Sequence, residues 1–142
     1  MKQFILIATM LLTFASLNAQ TYVRKGSNLG DLLYHCDGKY LRKSSLSNAI
    51  VSLDGKYIRS GENAIYNYDG KYFRQGGSSS GNILYNLDGK YIRQGGSSSG
   101  NVICELDGKY IRQSLSSGGN SIYYIEGNLP IAILMYIIKT SR

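Results

Sequence analysis

An all-β fold, a radial or closed array of about six short β-hairpin repeats joined by Asp-Gly turns, is what this sequence predicts, and three observations lead there. The string Asp-Gly-Lys-Tyr starts at Asp37, Asp54, Asp69, Asp88 and Asp107, and a degenerate Glu126-Gly127 completes the series. A Tyr-apolar-Arg triplet recurs in step with it, at Tyr22-Val23-Arg24, Tyr40-Leu41-Arg42, Tyr57-Ile58-Arg59, Tyr72-Phe73-Arg74, Tyr91-Ile92-Arg93 and Tyr110-Ile111-Arg112. The 142 residues include 17 glycines and 13 tyrosines but one proline and no tryptophan, with 43% apolar residues. Such a chain is too apolar for disorder, too glycine-rich for long helices, and of a length for one modest domain.

The first element is a targeting segment. Met1-Lys2-Gln3 is a short basic start, Phe4 to Leu17 is mostly apolar, and Ala15-Ser16-Leu17-Asn18-Ala19 supplies small residues before Gln20. This pattern predicts a secretory signal peptide over residues 1–19, its apolar stretch being short of the ~20 residues that span a bilayer. The mature chain is then secreted or periplasmic, without a transmembrane span, and keeps a basic balance.

Residues 20–127 form the repeat domain. Each unit has two short β-prone runs, such as Lys90 to Arg93 and Asn101 to Leu106, separated by a Gly/Ser/Asn loop and joined to the next unit by Asp-Gly. Asp-Gly between such runs is a strong hairpin signal, because Gly adopts positive φ at no steric cost. The turn fits either a two-residue type I′ loop or a type I turn followed by a glycine bulge, and these differ by one residue in register. In either case residues i and i+2 of a strand share a face. Tyr and Arg of each triplet therefore point one way, and Val23, Leu41, Ile58, Phe73, Ile92 and Ile111 point together into a core. Leu33, Ile50, Ile65, Leu84, Ile103 and Ile122 are expected to supplement that layer. A lone hairpin is marginal in water, so the faces must pool. The chain starts on a half-unit and ends on its complement, Ser121 to Ile125, so pairing of the two would seal a ring and remove both sheet edges.

Residues 128–142 break the pattern. Asn128-Leu129-Pro130 leads into the apolar run Ile131 to Ile138, followed by Lys139 and Arg142. Proline near the start and cations at the end suit a short helix, whereas the isoleucines suit a strand. Eight apolar residues cannot cross a bilayer, so this segment is expected to plug the repeats, or to serve as an interface in a larger surface assembly.

The chemistry available is sparse. Cys36 and Cys104 occupy different positions of the repeat, and export makes a Cys36–Cys104 disulfide possible, against the alternative of two small buried hydrophobes. The repeated aspartates each precede Gly-Lys and lack the alternating oxygen ligands of a calcium loop, so they are expected to form turns and to hold no metal. His35 has no visible nucleophile or acid partner, and Ser78-Ser79-Ser80 and Ser97-Ser98-Ser99 are expected to be flexible loops. No cofactor is implied. The constellation with binding potential is the Tyr/Arg face: Tyr40, Arg42, Tyr57, Arg59, Tyr72, Arg74, Tyr91, Arg93, Tyr110 and Arg112, with Tyr22 and Arg24, and with Lys39, Lys56, Lys71, Lys90 and Lys109 beside the turns. It would suit an anionic envelope glycan, lipopolysaccharide phosphates or a protein partner. The competing reading is that Tyr and Arg stack on one another to cover the sheet. Nucleic acid is disfavoured by export. A small glycan-active enzyme would need two carboxylates facing each other across a cleft, and here the acids sit on separate turns.

The signal-peptide end near Ala19-Gln20, units of the Ile83-Leu84-Tyr85-Asn86-Leu87-Asp88-Gly89-Lys90-Tyr91-Ile92-Arg93 type and the closing run Leu129-Pro130-Ile131-Ala132-Ile133-Leu134-Met135-Tyr136-Ile137-Ile138 together resemble the small secreted β-flower repeat proteins of the four-fold and five-fold kind from Bacteroidota-like bacteria. The resemblance implies a radial array of β-hairpins with no catalytic residues to carry over. The sequence departs from it in having six triplets and Ser/Gly loops. The function this leaves as the expectation is a non-catalytic structural or binding module of the cell envelope.

Overall fold

The computed structural model describes residues 20–113 and 119–142. The expected signal peptide, residues 1–19, lies outside the described residues. The strands are β1 (Thr21–Lys25), β2 (Leu32–Cys36), β3 (Tyr40–Arg42), β4 (Val51–Asp54), β5 (Tyr57–Ser60), β6 (Asn63–Tyr68), β7 (Tyr72–Gln75), β8 (Ile83–Asp88), β9 (Tyr91–Gln94), β10 (Val102–Asp107), β11 (Tyr110–Arg112) and β12 (Ser121–Glu126), and helix α1 (Ile131–Thr140) follows. Each strand pairs antiparallel with its chain neighbours, and β1 pairs with β12, Val23 opposite Ile125, so the sheet closes into a barrel without edges. The two half-units at the ends of the repeat supply that seam.

The alternation rule places the core as expected. Val23, Leu41, Ile58, Phe73 and Ile92 are fully buried and Ile111 nearly so. Their neighbours on one side are Tyr34, Val51, Tyr66, Tyr85, Cys104 and Tyr123. On the other side they are Ile125, Cys36, Leu53, Tyr68, Leu87 and Leu106. The supplementary layer needs a correction. The register shifts beside the wide loops leave Leu33, Ile65, Leu84, Ile103 and Ile122 without a partner across the ladder. These are bulge residues. Apart from buried Ile103 they are half-buried and pack against the core edge, as Ile50 does. The bulge takes up one residue, which moves the true inward position one step along.

The Asp-Gly turns are two-residue loops, Asp54 pairing with Tyr57, Asp88 with Tyr91 and Asp107 with Tyr110. Gly55, Gly89 and Gly108 have φ near 60°, and among the described residues none other than glycine has positive φ. The lysine that follows is therefore excluded from a type I′ turn, and the pattern is that of type II′, with glycine first. Neither turn weighed from the sequence is the one formed: the loop has two residues, but they are Gly and Lys, with Asp already paired in the ladder. At Asp37 and Asp69 the carboxylate itself closes the turn. Asp37 Oδ1 accepts from the N–H of Lys39 and Tyr40 at 3.0 and 2.8 Å, and Asp69 Oδ1 from Lys71 and Tyr72 at 3.0 and 2.8 Å.

Residues 131–140 are helical. Ala132, Ile133, Leu134, Met135, Ile137 and Ile138 are buried and share one core with residues from the surrounding strands. A helix apolar all round belongs in an interior, and at ~1.5 Å per residue its length matches the barrel wall. The isoleucines are overruled by the setting: with every strand already paired on both sides, an extended segment in the lumen would leave its N–H and C=O groups unsatisfied, whereas a helix satisfies its own. The chain turns inward at Gly127, φ 110°, where a Cβ would lie 2.8 Å from Thr21 Oγ1. Thr21 Oγ1 donates to Asn128 O at 2.9 Å and holds the entry. The run is thus a plug, and an assembly interface built from it is overturned because its apolar surface already faces the barrel wall.

Cys36 and Cys104 are both free and buried. They sit on β2 and β10, four strands apart around the ring. Strands are spaced about 4.8 Å apart and a disulfide needs Cα atoms within about 7 Å, so the disulfide is excluded without rebuilding the wall. Burial raises both thiols, Cys104 to about 12.

Candidate functional site

The outer face carries a repeated cluster. In each strand that starts with the triplet, Tyr and Arg two residues apart lie on the outside and stack: the guanidinium sits 5.3 Å from the ring centre for Arg42–Tyr40, 5.2 Å for Arg59–Tyr57, 5.1 Å for Arg74–Tyr72, 5.5 Å for Arg93–Tyr91 and 5.0 Å for Arg112–Tyr110. The preceding lysine reaches the same ring, with Nζ of Lys39, Lys56, Lys71 and Lys90 at 5.2 to 5.4 Å. Tyr40, Tyr57, Tyr72 and Tyr91 therefore each have a cation from either side in the sequence, and Tyr110 has its arginine alone.

The arginines are committed further. Arg59, Arg93 and Arg112 Nε donate to Asp54, Asp88 and Asp107 Oδ2 at 3.0, 2.9 and 2.8 Å, and Arg74 Nη1 donates to Asp69 Oδ2 at 2.6 Å. Arg24 Nε reaches Glu126 Oε2 at 3.4 Å, the degenerate member standing where the others have aspartate. The second arm holds the wide loop. Nη1 of Arg42, Arg59, Arg93 and Arg112 donates to the carbonyls of Ser47, Glu62, Gly100 and Gly119 at 2.9, 3.0, 3.0 and 3.2 Å. Arg59, Arg93 and Arg112 each tie the Asp-Gly turn, the tyrosine and the far loop together, while Arg42 joins tyrosine to loop and Arg74 joins tyrosine to turn. The Arg74 hydrogen bond and the Tyr72 and Lys71 N–H groups hold the Asp69 carboxyl at about 2.

All ten tyrosines and arginines of the expected site therefore lie where the alternation rule puts them, on one outer belt. Covering and bracing the sheet is what their partners show them doing. The cations left over are the turn lysines. Lys39, Lys56, Lys71, Lys90 and Lys109 are exposed at the same end of the barrel, on equivalent turns. Of these only Lys90 has a carboxylate within reach among the described residues, Glu105 Oε1 at 2.8 Å.

A further outer position went unnoticed in the sequence. Between the tyrosine of one unit and the arginine of the next stand His35, Ser52, Asn67, Asn86, Glu105 and Tyr124, each two residues before Asp or Glu. The same period of two that located the core would have found them. Asn67 and Asn86 are buried, and their Nδ2 groups donate to the loops: Asn67 to Gly76 O and Ser78 O at 2.8 and 3.1 Å, Asn86 to Gly95 O and Ser97 O at 2.7 and 3.2 Å. The serine runs, expected to be flexible, are pinned by these bonds. His35 instead meets Tyr22 edge-on at 5.0 Å, and its Nδ1 has no partner among the described residues. The loop after β3 has no glycine at the place of Gly76 and Gly95, whose carbonyls Asn67 and Asn86 use.

Six equivalent hairpins closed around one helix set the symmetry of the molecule, and residues 23–134 match a family described as a 6-fold beta flower protein. The chain belongs to the six-fold β-flower family. The resemblance to β-flower proteins was sound, and its four-fold or five-fold symmetry is corrected to six by the sixth hairpin, which β1 and β12 build together. Six-fold β-flower proteins form a structural, non-catalytic repeat fold. No curated protein and no solved structure matches the chain. Among the described residues no group of three His, Cys, Asp or Glu side chains is placed to hold a metal ion, and no helix is long and apolar enough to cross a membrane.

Proposed function

We propose that this six-fold β-flower protein is an exported module of the cell envelope that binds an anionic glycan, bearing phosphate or carboxylate groups, through the Asp-Gly end of its barrel. The observation that carries this reading is the ring of exposed lysines on equivalent turns, beside aspartates whose charge is largely answered by arginine. A polyanion with regularly spaced charges would meet several lysines at once, and repeated weak contacts add as avidity. The arginines brace the site and do not form it, which shifts the weight from the Tyr/Arg pairs to the lysines.

The test is retention of the mature protein on immobilised lipopolysaccharide and on a carboxylated polysaccharide, eluted with salt. Replacing Lys39, Lys56, Lys71 and Lys109 by Gln is expected to lower the eluting salt concentration stepwise, at about five-fold in affinity per lysine, with the fold unchanged. Equal elution of wild type and the quadruple variant would refute the reading. The two matrices separate phosphate from carboxylate recognition.

A further inference from the structure

The opposite end of the barrel presents a different chemistry. Four of its loops share one frame: a backbone N–H donates three residues back, Gly30 to Ser27 O, Ser47 to Ser44 O, Gly81 to Ser78 O and Gly100 to Ser97 O, at 2.9 to 3.2 Å. That frame aligns Leu29 and Leu46 with Ser80 and Ser99. The two leucines are 91% and 97% exposed. They stand on neighbouring loops, about 10 Å apart by two strand spacings. Their loops are held from below, Arg24 Nη1 donating to Gly30 O at 3.4 Å and Arg42 Nη1 to Ser47 O at 2.9 Å. The leucines are therefore displayed on braced backbones and not left on floppy ones.

Around them the surface is apolar and cationic. A cleft of about 450 Å³ opens beside the loops, lined by Leu32, Leu33, Tyr34, Lys43, Tyr123 and Ser141. Lys25 and Lys43 are exposed at the bases of the two loops and have no carboxylate partner among the described residues, and Arg142 ends the chain at the same end. Asp31 is the only acid in these two loops.

We propose that the Leu29 and Leu46 loop tips seat this end of the barrel on an anionic lipid surface, the leucines entering the acyl boundary and Lys25 and Lys43 meeting lipid headgroup charge. Two exposed apolar tips flanked by uncompensated lysines are the combination that interfacial binding rewards, since apolar burial and headgroup attraction act together. A second copy of the chain would gain from the leucines but would set lysine against lysine. This surface is independent of the lysine ring at the far end, and either can fail without the other.

The sequence contains no tryptophan, so Leu46→Trp creates a single reporter at an exposed site where folding is not at stake. With vesicles containing phosphatidylglycerol its emission is expected to shift to the blue, while Ser99→Trp, at the equivalent place on a distant loop, is expected to shift far less. Co-sedimentation with the same vesicles should fall about ten-fold for Leu29→Ser and again for Leu46→Ser, and Lys25→Gln with Lys43→Gln should abolish the preference for anionic over zwitterionic vesicles. No blue shift at position 46, or co-sedimentation indifferent to both serine substitutions, would overturn the proposal. So would a concentration-dependent dimer abolished by the same serine substitutions in the absence of vesicles.

Discussion

Replacing Asn86 by Ala removes a side chain that is 1% exposed and donates to Gly95 O at 2.7 Å and Ser97 O at 3.2 Å. Each such bond contributes about 0.5 to 1.5 kcal/mol net, and carbonyls left unpaired near the belt add to the loss. The expected cost is about 2 to 3 kcal/mol, which for a domain of this size lowers Tm by roughly 6 to 12 °C. Urea denaturation followed by circular dichroism reads it directly, with the midpoint falling and the slope m unchanged. Ser52 occupies the same outer position on β4 and makes no comparable bond among the described residues, so Ser52→Ala should cost less than about 0.5 kcal/mol. A loss at Asn86 as small as that at Ser52, or equal large losses at both, would refute the claim that the asparagines pin the serine loops.

Two further outcomes follow from the same geometry. The Asp69 carboxyl is held at about 2 by the Arg74 hydrogen bond and the turn N–H groups, below its unfolded value of about 3.9. Because the folded value is the lower one, the contribution of this group is complete above about pH 4 and is lost as pH falls toward 2. Urea midpoints between pH 5 and 2 should therefore decline, and Asp69→Asn should decline less steeply. Cys104, raised to about 12 by burial, and Cys36, raised likewise by burial, should resist a thiol reagent in the native protein at pH 8. Both should react on denaturation without prior reduction, and a count below two thiols in denaturant would mean that a disulfide exists.

The sequence disclosed the repeat and the inward row from Val23 to Ile111, because both follow from a period of two and from what Gly can do, but it left the register of the turns open between two loops, neither of which formed. Closure was legible too, in the half-units at either end. What escaped it depends on contacts distant in the chain. Leu33, Ile65, Leu84, Ile103 and Ile122 were displaced by bulges that no local pattern announces. The serine loops looked loose until Asn67 and Asn86, nine or more residues away, were seen to hold them. The helix was ambiguous because Ile131 to Ile138 suits either state, and only a lumen without a free strand edge decides between them. At the candidate site, alternation placed Tyr and Arg correctly, but the committed role of arginine emerged only with its aspartate and loop-carbonyl partners, leaving the lysines as the accessible charge.

Amide hydrogen exchange at the seam tests the closed barrel most directly. Gly26 N–H donates to Ile122 O at 3.1 Å, which sets the phase of the antiparallel ladder so that Arg24 and Tyr124 exchange bonds between β1 and β12. The account predicts that these two amides, and those of the helix from Leu134 to Ile138, exchange as slowly as amides in the β8–β9 hairpin, through global unfolding alone. Fast exchange at Arg24 and Tyr124 beside slow exchange at β8–β9 would mean an open sheet with an unsealed edge, and would contradict the closed barrel.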